Sequence, residues 1–179
     1  TTNMQPLTLG SASTGPIQFD GMLSGEVYDA RLEKAGWNTA GYDDSKWVAA
    51  KVVDAPKGRL TSQMVQPIRV TKVIKPIKVT QPKPGVYVFD IGQNIAGKAR
   101  LTVKGPAGTN VTLQYAELLR NDGTLNADNI KMHCKSGEFQ TERYILKGAG
   151  IETWESRFMY HGFQYVQVTG FPGEPRAED

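Results

Sequence analysis

The stretch "GKARLTVKGPAGTNVTLQYAEL", residues 97–118, decides the predicted fold class. Apolar residues occupy every second position in much of each half, and polar or charged residues lie between them. A period of two with one apolar face is typical of a β-strand that is buried on one side. The short "PAG" between the halves is a turn signal, so the stretch predicts two strands paired as an antiparallel hairpin. The apolar positions are Ala99, Leu101, Val103, Val111, Leu113 and Tyr115.

Similar strand patterns continue on both sides of this stretch. The segment "VIKPIKVT" (73–80) is rich in β-branched residues, and Pro76 favours an edge position because proline cannot donate to a ladder. The segments "GVYVFDIG" (85–92) and "TERYILKG" (141–148) add strands, and the sequence shows no helical periodicity of any length. About eight to ten short strands separated by turns are typical of sandwiches and barrels. The sequence therefore predicts an all-β chain, an antiparallel β-sandwich of jelly-roll or concanavalin-like type with little helix.

The stretch "MYHGFQYVQV" (159–168) predicts two strand pieces joined at Gly162, which is expected to mark a bulge or a close backbone approach. Phe163, Tyr165 and Gln167 are expected to share one face, with the residues between them on the other. His161 is interpreted as a structural histidine beside the bulge. The alternative is a hydrolytic centre in which His161 works with nearby acids, since glycosidases use two carboxylates that flank the bond. The acids considered are Asp43, Asp44, Glu117, Asp122, Asp128, Glu138, Glu142, Glu152 and Glu155.

The composition of the chain excludes several classes of binding partner and of metal site. The net charge is +3, from 21 basic and 18 acidic residues that are scattered along the chain, so neither nucleic acid nor a membrane surface is expected as a partner. One cysteine, Cys134, excludes a disulfide framework within the chain and, with two histidines, argues against a structural zinc site. The opening residues lack the pattern of a signal peptide and are interpreted as an internal cut in a longer protein.

Two polar stretches are candidates for binding sugar or calcium. The first, "GWNTAGYDDSKW" (36–47), is expected to be turn-rich, with one helical turn starting at residues 43–45. Its candidates for sugar binding are Trp37, Tyr42, Asp43, Asp44 and Trp47, because aromatic rings stack on sugars. The second, "NDGTLNADN" (121–129), offers oxygens that suit calcium but lacks the acidic twelfth position of an EF-hand. No cofactor or metal ligand set is predicted, and assistance by calcium is left open.

Four motifs occur in a specific order: "GEVYDAR", "FDIGQNIAGKARL", "GPAGT" and "YHGFQYVQVTG". In this order the chain, over residues 25–173, resembles the bacterial α-L-rhamnosidases of glycoside hydrolase family 78. The resemblance implies the end of an N-terminal sugar-binding-like β-domain followed by a concanavalin-like β-sandwich. In that family an (α/α)6 barrel follows and performs inverting hydrolysis, and this sequence contains no such barrel.

The resemblance also implies a division of the chain. Residues 1–24 are expected to be an extended arm left from a preceding domain, and residues 25–55 the end of the N-terminal β-domain packed on the sandwich. Residues 56–173 are expected to form the sandwich, and residues 174–179 a tail toward the missing barrel.

The resulting functional hypothesis is a non-catalytic fragment of an enzyme that hydrolyses terminal α-L-rhamnosides. Its partner is the catalytic barrel of the same polypeptide, which the sandwich supports or borders. The expected contacts to that barrel are Asn121, Asp122, Asn126, Asp128 and Asn129 of the loop 121–138, together with His161. The alternatives are a carbohydrate-binding module for L-rhamnose or a related sugar, and a complete small hydrolase. The compartment stays open, because members of the family act inside or outside the cytoplasm.

Overall fold

A computed structural model describes residues 11–54, 57–59, 61–134 and 137–179. Their contacts group into two units, which are described separately: the described part of Thr1–Gly15 with Lys34–Arg69, and Pro16–Glu33 with Val70–Asp179. Among the described residues no helix is long and apolar enough to cross a membrane. The strands are β1 (Ser11–Ala12), β2 (Ile17–Gly21), β3 (Gly25–Asp29), β4 (Val48–Ala49), β5 (Lys78–Lys83), β6 (Val86–Gly97), β7 (Leu101–Lys104), β8 (Asn110–Ala116), β9 (Leu118–Leu119), β10 (Leu125–Asn126), β11 (Thr141–Ile145), β12 (Ile151–Trp154) and β13 (His161–Thr169).

The smaller unit has little regular structure. Strands β1 and β4 pair antiparallel, and the Lys34 Nζ donates to the Thr14 carbonyl at 2.5 Å. Residues 36–47 are turn-rich, as predicted. The Asp43 carboxylate accepts the Ser45 N–H at 3.0 Å and the Asp44 carbonyl accepts the Trp47 N–H at 2.8 Å, so residues 43–47 form one capped turn that is not continued into a helix.

The larger unit is a β-sandwich. Its large sheet has seven strands in the order β2-β3-β11-β8-β13-β6-β5, and its small sheet is the pair β12-β7. Leu101 and Val103 of β7 and Trp154 of β12 pack in one core with the large sheet, so the two sheets face each other. This confirms the predicted all-β sandwich with little helix: the described residues contain only the 3-10 turns Ala30–Leu32 and Lys131–His133. One pair, β3 with β11, is parallel, so the large sheet is mixed rather than purely antiparallel.

The hairpin predicted for residues 97–118 is wrong in its pairing. Strand β7 pairs with β12, whereas β8 lies between β11 and β13 in the other sheet. The turn after Lys104 therefore carries the chain from one sheet to the other. Both strands still bury their predicted apolar faces, because Leu101 of β7 and Leu113 of β8 lie in the same core. Alternation identifies a buried face, but it does not distinguish strands that pair side by side from strands that face each other across a sandwich.

The edge position predicted from Pro76 is confirmed, although the strand begins later than expected. Strand β5 starts at Lys78 and forms the last strand of the large sheet. Pro82 lies within β5, which is tolerated because only one side of an edge strand pairs.

Strand β13 contains the predicted bulge, but further along than expected. Its register against β6 shifts between Phe163 and Tyr165 rather than at Gly162. The extra residue changes the phase of the alternation, so Phe163 faces the core together with Val166 and Val168. The predicted face that combined Phe163 with Tyr165 and Gln167 is therefore wrong, since one bulged residue reverses the sides of all that follow.

Part of the expected arm belongs to the large sheet. Strand β2 pairs with β3, and β3 pairs with β11, with Val27 opposite Arg143. This hairpin spans the expected boundary between residues 24 and 25, and the contacts group Pro16–Glu33 with the sandwich. Residues 1–10 and 55–56 lie outside the described residues. The division into functional domains stays a prediction.

Candidate functional site

Four buried polar side chains meet at one end of the sandwich: Glu26, Tyr115, Glu142 and His161, named here the acid cluster. Glu142 is 0% and His161 is 2% exposed. On β11 the alternation that turns Tyr144 into the core turns Glu142 inward as well. The acid cluster is therefore a consequence of strand periodicity that places polar side chains on an apolar face.

The cluster is held together by short hydrogen bonds to Glu142. The Tyr115 hydroxyl donates to Glu142 Oε2 at 2.5 Å, and His161 Nε2 lies 3.0 Å from Glu142 Oε1. The Tyr115 ring packs on the His161 ring at 4.5 Å and edge-on to Phe163 at 4.9 Å. Burial raises the pKa of Tyr115 well above its usual range, and the neighbouring Glu142 acts in the same direction. Tyr115 is therefore a neutral donor at physiological pH.

Glu26 brings a second carboxyl group into the core. Its Oε2 accepts the Arg157 N–H at 3.0 Å, while its Oε1 has no hydrogen-bond partner among the described residues. Burial raises the pKa of Glu26, and the charge of Glu142 raises it further against the hydrogen bond from Arg157. A neutral carboxyl group at Glu26 relieves the repulsion between two buried acids.

The acid cluster is unsuited to hydrolysis of a glycoside. Such a reaction needs two carboxyl groups on either side of a bound sugar, about 5 to 9.5 Å apart. Here Glu142 is fully enclosed and its two oxygens are occupied by Tyr115 and His161. His161 is buried in the core and bonded to Glu142, which agrees with the structural role that the sequence favoured.

Sequence reasoning identified only part of this cluster. Glu142 appeared among many acids with no means of choosing it, and Glu26 was missed. The signal for Glu26 was the alternation of "GEVYD", in which Glu26 and Tyr28 share one side of a strand. A glutamate is normally expected on the solvent side of a strand, even where it alternates with an aromatic residue. The pattern therefore did not identify Glu26 as buried.

Outside the acid cluster, the buried carboxylate of Glu152 holds the turn between β11 and β12. Its Oε1 accepts the N–H groups of Gly148 and Ala149, and its Oε2 accepts the Lys147 N–H and the Tyr144 hydroxyl. Burial acts to raise the pKa of Glu152, but these four hydrogen bonds together lower it below its usual value. The ionised carboxylate is therefore the form that stabilises this turn.

We expect acid to weaken the sandwich partly through Glu152. A carboxyl group with a lowered folded-state pKa stabilises the fold above its unfolded pKa and loses that contribution as the pH falls through the folded pKa. The variant Glu152→Gln should be less stable than the parent at about pH 7, and the difference should shrink toward about pH 3. Urea unfolding at a series of pH values, followed by tryptophan fluorescence, measures this. A difference that stays constant over the whole range would contradict the assignment.

The predicted sugar-binding residues lie together in the smaller unit. Tyr42 and Trp47 pack edge to face at 5.6 Å, and the Lys34 ammonium lies 6.0 Å from the centre of the Trp47 ring. Trp37 is exposed rather than folded back over an apolar surface. The hydrogen bond from the side chain of Ser45 lowers the pKa of Asp43, so this carboxylate is engaged in turn formation. The backbone of Asp44 closes the next turn by accepting the Trp47 N–H at 2.8 Å.

The loop after β8 uses its polar side chains on itself and on the sheet. Asp122 accepts the Thr124 N–H and hydroxyl and pairs with Lys83 at 2.9 Å, while Asp128 pairs with Arg120 and Lys131. Asn126 caps the Asp128 N–H at 3.0 Å, and Asn121 and Asn129 are exposed. Residues 120–123 form a turn, since the Gly123 N–H donates to the Arg120 carbonyl at 2.9 Å. In the described ranges no three acidic, histidine or cysteine side chains are arranged to hold a metal ion.

An open depression of about 490 Å³ lies between this loop and the outer face of the large sheet. Its walls include Gln114, Met132, Glu138, Phe139 and Thr141. It contains one aromatic ring and no buried charge, so its geometry specifies no ligand class.

Two family models match adjoining parts of the chain. The model described as "Bacterial alpha-L-rhamnosidase concanavalin-like domain" matches residues 80–179. The model described as "Alpha-L-rhamnosidase N-terminal domain" matches residues 10–72. The first covers more than half of the chain, including the large core of the sandwich.

Known proteins with similar sequences are α-L-rhamnosidases. The protein from Streptomyces avermitilis is 48% identical over 92% of this chain and 16% of its own length. One from Formosa agariphila is 34% identical over 93% of this chain and 17% of its own length. The chain therefore spans less than a fifth of the curated relatives that it matches.

Solved structures show the same fold. The α-L-rhamnosidase from Dictyoglumus thermophilum superimposes with a TM-score of 0.87 at 43% identity, over 94% of this chain and 19% of that one. The Streptomyces avermitilis α-L-rhamnosidase complexed with L-rhamnose gives a TM-score of 0.85 at 48% identity, over 92% of this chain and 16% of that one.

Proposed function

The chain belongs to the bacterial α-L-rhamnosidase family, and from this premise we propose that it is a non-catalytic β-sandwich of an enzyme that hydrolyses terminal α-L-rhamnosides. In this role it supports and borders the catalytic domain of the same polypeptide. The chain corresponds to the N-terminal and concanavalin-like domains of its relatives, which are five to six times longer.

One observation supports the non-catalytic role above the others. The acid cluster, which combines the carboxyl groups with a histidine, is enclosed in the core and fully hydrogen-bonded at Glu142. A sugar ring has no access to it, so the cluster stabilises the sandwich rather than reacting with substrate. Elsewhere in the larger unit, Glu155 pairs with Lys98 and Arg100.

The test uses the Streptomyces avermitilis α-L-rhamnosidase with its matching segment deleted, and the same enzyme with this chain in place of that segment. We expect this chain alone to show no hydrolysis of an aryl α-L-rhamnoside. We expect the deletion to lose most of the enzyme's activity and thermal stability, and the chimera to regain both. Turnover by this chain alone, or a deletion as active and stable as the parent, would overturn the proposal.

A second candidate is a carbohydrate-binding module. It is favoured by the exposed ring of Trp37 and by the packed pair of Tyr42 and Trp47, which belong to the same unit. Calorimetric titration of this chain with L-rhamnose, with and without calcium, tests it. Millimolar or tighter binding supports this candidate if Trp37→Ala abolishes it and a control such as Phe19→Ala does not. If no heat of binding is measured, this candidate is excluded.

A further inference from the structure

One end of the sandwich exposes a group of large side chains that the core does not use. The turn between β2 and β3 presents Met22 and Leu23, and the segment between β12 and β13 presents Arg157, Phe158 and Tyr160. These five residues are named here the end surface. Met22 is 85%, Phe158 67% and Tyr160 54% exposed.

Backbone and side-chain hydrogen bonds join these two segments. The Leu23 carbonyl accepts the Gln140 N–H at 2.9 Å, and the Gln140 side chain exchanges bonds with the backbone of Gly162 at 3.2 Å. Gly162 is two residues from Tyr160, so the turn and the segment adjoin each other. The strand register agrees, because the β2–β3 turn, the end of β8 and the start of β13 all lie at this end of the large sheet.

The end surface is held rigidly from below. Glu26 accepts the Arg157 N–H at 3.0 Å, and Met159, between the exposed Phe158 and Tyr160, is buried. Gln140, which joins the two segments, has a φ of 42°, in the left-handed region that non-glycine residues rarely adopt. Its side chain also donates to the Tyr115 carbonyl at 3.1 Å, so its conformation is fixed by three partners. The exposed rings therefore stand on a preorganised base rather than on a loose loop.

The composition of the end surface is typical of a protein interface. Aromatic residues, methionine and arginine are enriched at such interfaces, and hot spots are often aromatic. Contiguous exposed apolar surface of this kind commonly marks an interaction site. Burying aromatic rings that are already held in place costs little conformational entropy on association.

The path of the chain after β13 indicates which partner covers the end surface. After β13 the backbone returns beside the small sheet. Pro172 lies next to Gly105, beyond the end of β7. Near the start of β7, the Thr102 N–H donates to the Asp179 carbonyl at 2.5 Å. The start of β7 pairs with Trp154 and lies at the end of the sandwich that carries the end surface. A polypeptide that continues past Asp179 leaves on this side, and the relatives contain more than four fifths of their length outside the matched region.

We propose that the catalytic portion of the α-L-rhamnosidase polypeptide packs on the end surface, with Phe158 and Tyr160 as the central contacts. This inference rests on the proposed function above and locates the contact between the two parts. It differs from the sequence-based expectation, which placed the contact on the loop 121–138 together with His161. In that loop Asp122 pairs with Lys83, and Asp128 pairs with Arg120 and Lys131.

The experiment uses the chimera in which this chain replaces the matching segment of the Streptomyces avermitilis enzyme. Phe158→Ser and Tyr160→Ser are introduced together, and Ile151→Ser is the matched control. Ile151 is equally apolar and exposed, but it lies at the other end of β12, opposite Lys104. We expect the double variant to shorten the half-life of rhamnosidase activity on heating at least tenfold, and Ile151→Ser to leave it within about twofold. This chain alone should unfold at the same urea concentration with and without the double substitution.

Hydrogen exchange provides a second measurement that does not depend on the variants. The amides of residues 158–160 should exchange at least tenfold more slowly in the chimera than in this chain alone. Equal exchange and an unaffected half-life would overturn the location of the contact while leaving the proposed function intact, if the deletion still inactivates the enzyme. A concentration-dependent dimer of this chain that Phe158→Ser abolishes would instead assign the end surface to a second copy. If the deletion has no effect, the proposed function itself fails.

Discussion

Replacing Glu142 with alanine is expected to destabilise the sandwich by about 3–5 kcal/mol, because it removes the central acceptor of a buried network. The substitution leaves the Tyr115 hydroxyl and His161 Nε2 without their partner inside an apolar core. It also opens a cavity between β8, β11 and β13. Chemical unfolding in urea at neutral pH, followed by tryptophan fluorescence, gives the free energy of unfolding directly. A marginally stable domain would be largely unfolded by a loss of this size.

The matched control is Glu138→Ala. This carboxylate lies four residues earlier in the same segment, and it pairs with Arg143 at the surface. Exposed pairs contribute about 0–1 kcal/mol, so the variant should unfold close to the parent. Glu142→Gln, which preserves the shape and can still accept from Tyr115, should fall between the two. Equal losses for Glu138→Ala and Glu142→Ala would show that burial of the network does not determine its contribution.

Replacing Gly25 with alanine is expected to detach the β2–β3 hairpin from the large sheet at a cost of about 3 kcal/mol or more. Gly25 has a φ of 129°, which side chains rarely adopt, and an added Cβ would overlap the carbonyl of Thr141. That carbonyl belongs to the backbone of β11, so it cannot rotate away as a side chain would. Limited proteolysis should therefore cut near Met22 faster in this variant, and the urea midpoint should fall.

Gly85→Ala separates backbone strain from collision. Gly85 has a φ of 72°, but nothing lies within 4 Å of an added Cβ. This variant should lose about 1 kcal/mol and keep the hairpin protected from protease. If both glycine variants behave alike, the close approach of β3 and β11 is not what fixes the hairpin.

The strands were predictable from sequence because burial on one side imposes a period of two on residues such as Val111 and Leu113. Their partners were not, since β7 and β8 satisfy the same pattern by facing each other across the core. The side on which each residue of β13 lies was predicted wrongly beyond its bulge, because no residue type marks the position of a bulge. The bulge was expected at Gly162, but the register shift occurs after Phe163.

The acid cluster shows a second limit on what the sequence can predict. His161 was correctly interpreted as structural, but its partner could not be chosen among the acids because Glu142 lies 19 positions away in sequence. Glu26 was not identified, because a glutamate is normally expected at the surface even where strand alternation places it on the core side. Long-range contacts of buried polar groups follow from strand order, and strand order was the part of the fold that local patterns left open.

The parallel pairing of β3 with β11 has a consequence for the order of events during synthesis. The bond between Arg157 and Glu26 spans 131 residues, and β3 has no neighbour on its second side until β11 exists. At ribosomal rates of about 5–20 residues per second, β3 waits roughly 6–23 seconds for β11, whose Arg143 lies opposite Val27. During that interval a newly made edge strand is open to pairing with other nascent chains. The N-terminal hairpin is thus the first part of the sandwich to be made, and β3 remains an open edge until β11 has been made. A chaperone that shields this hairpin should raise the yield of folded protein more than one that acts on the completed chain.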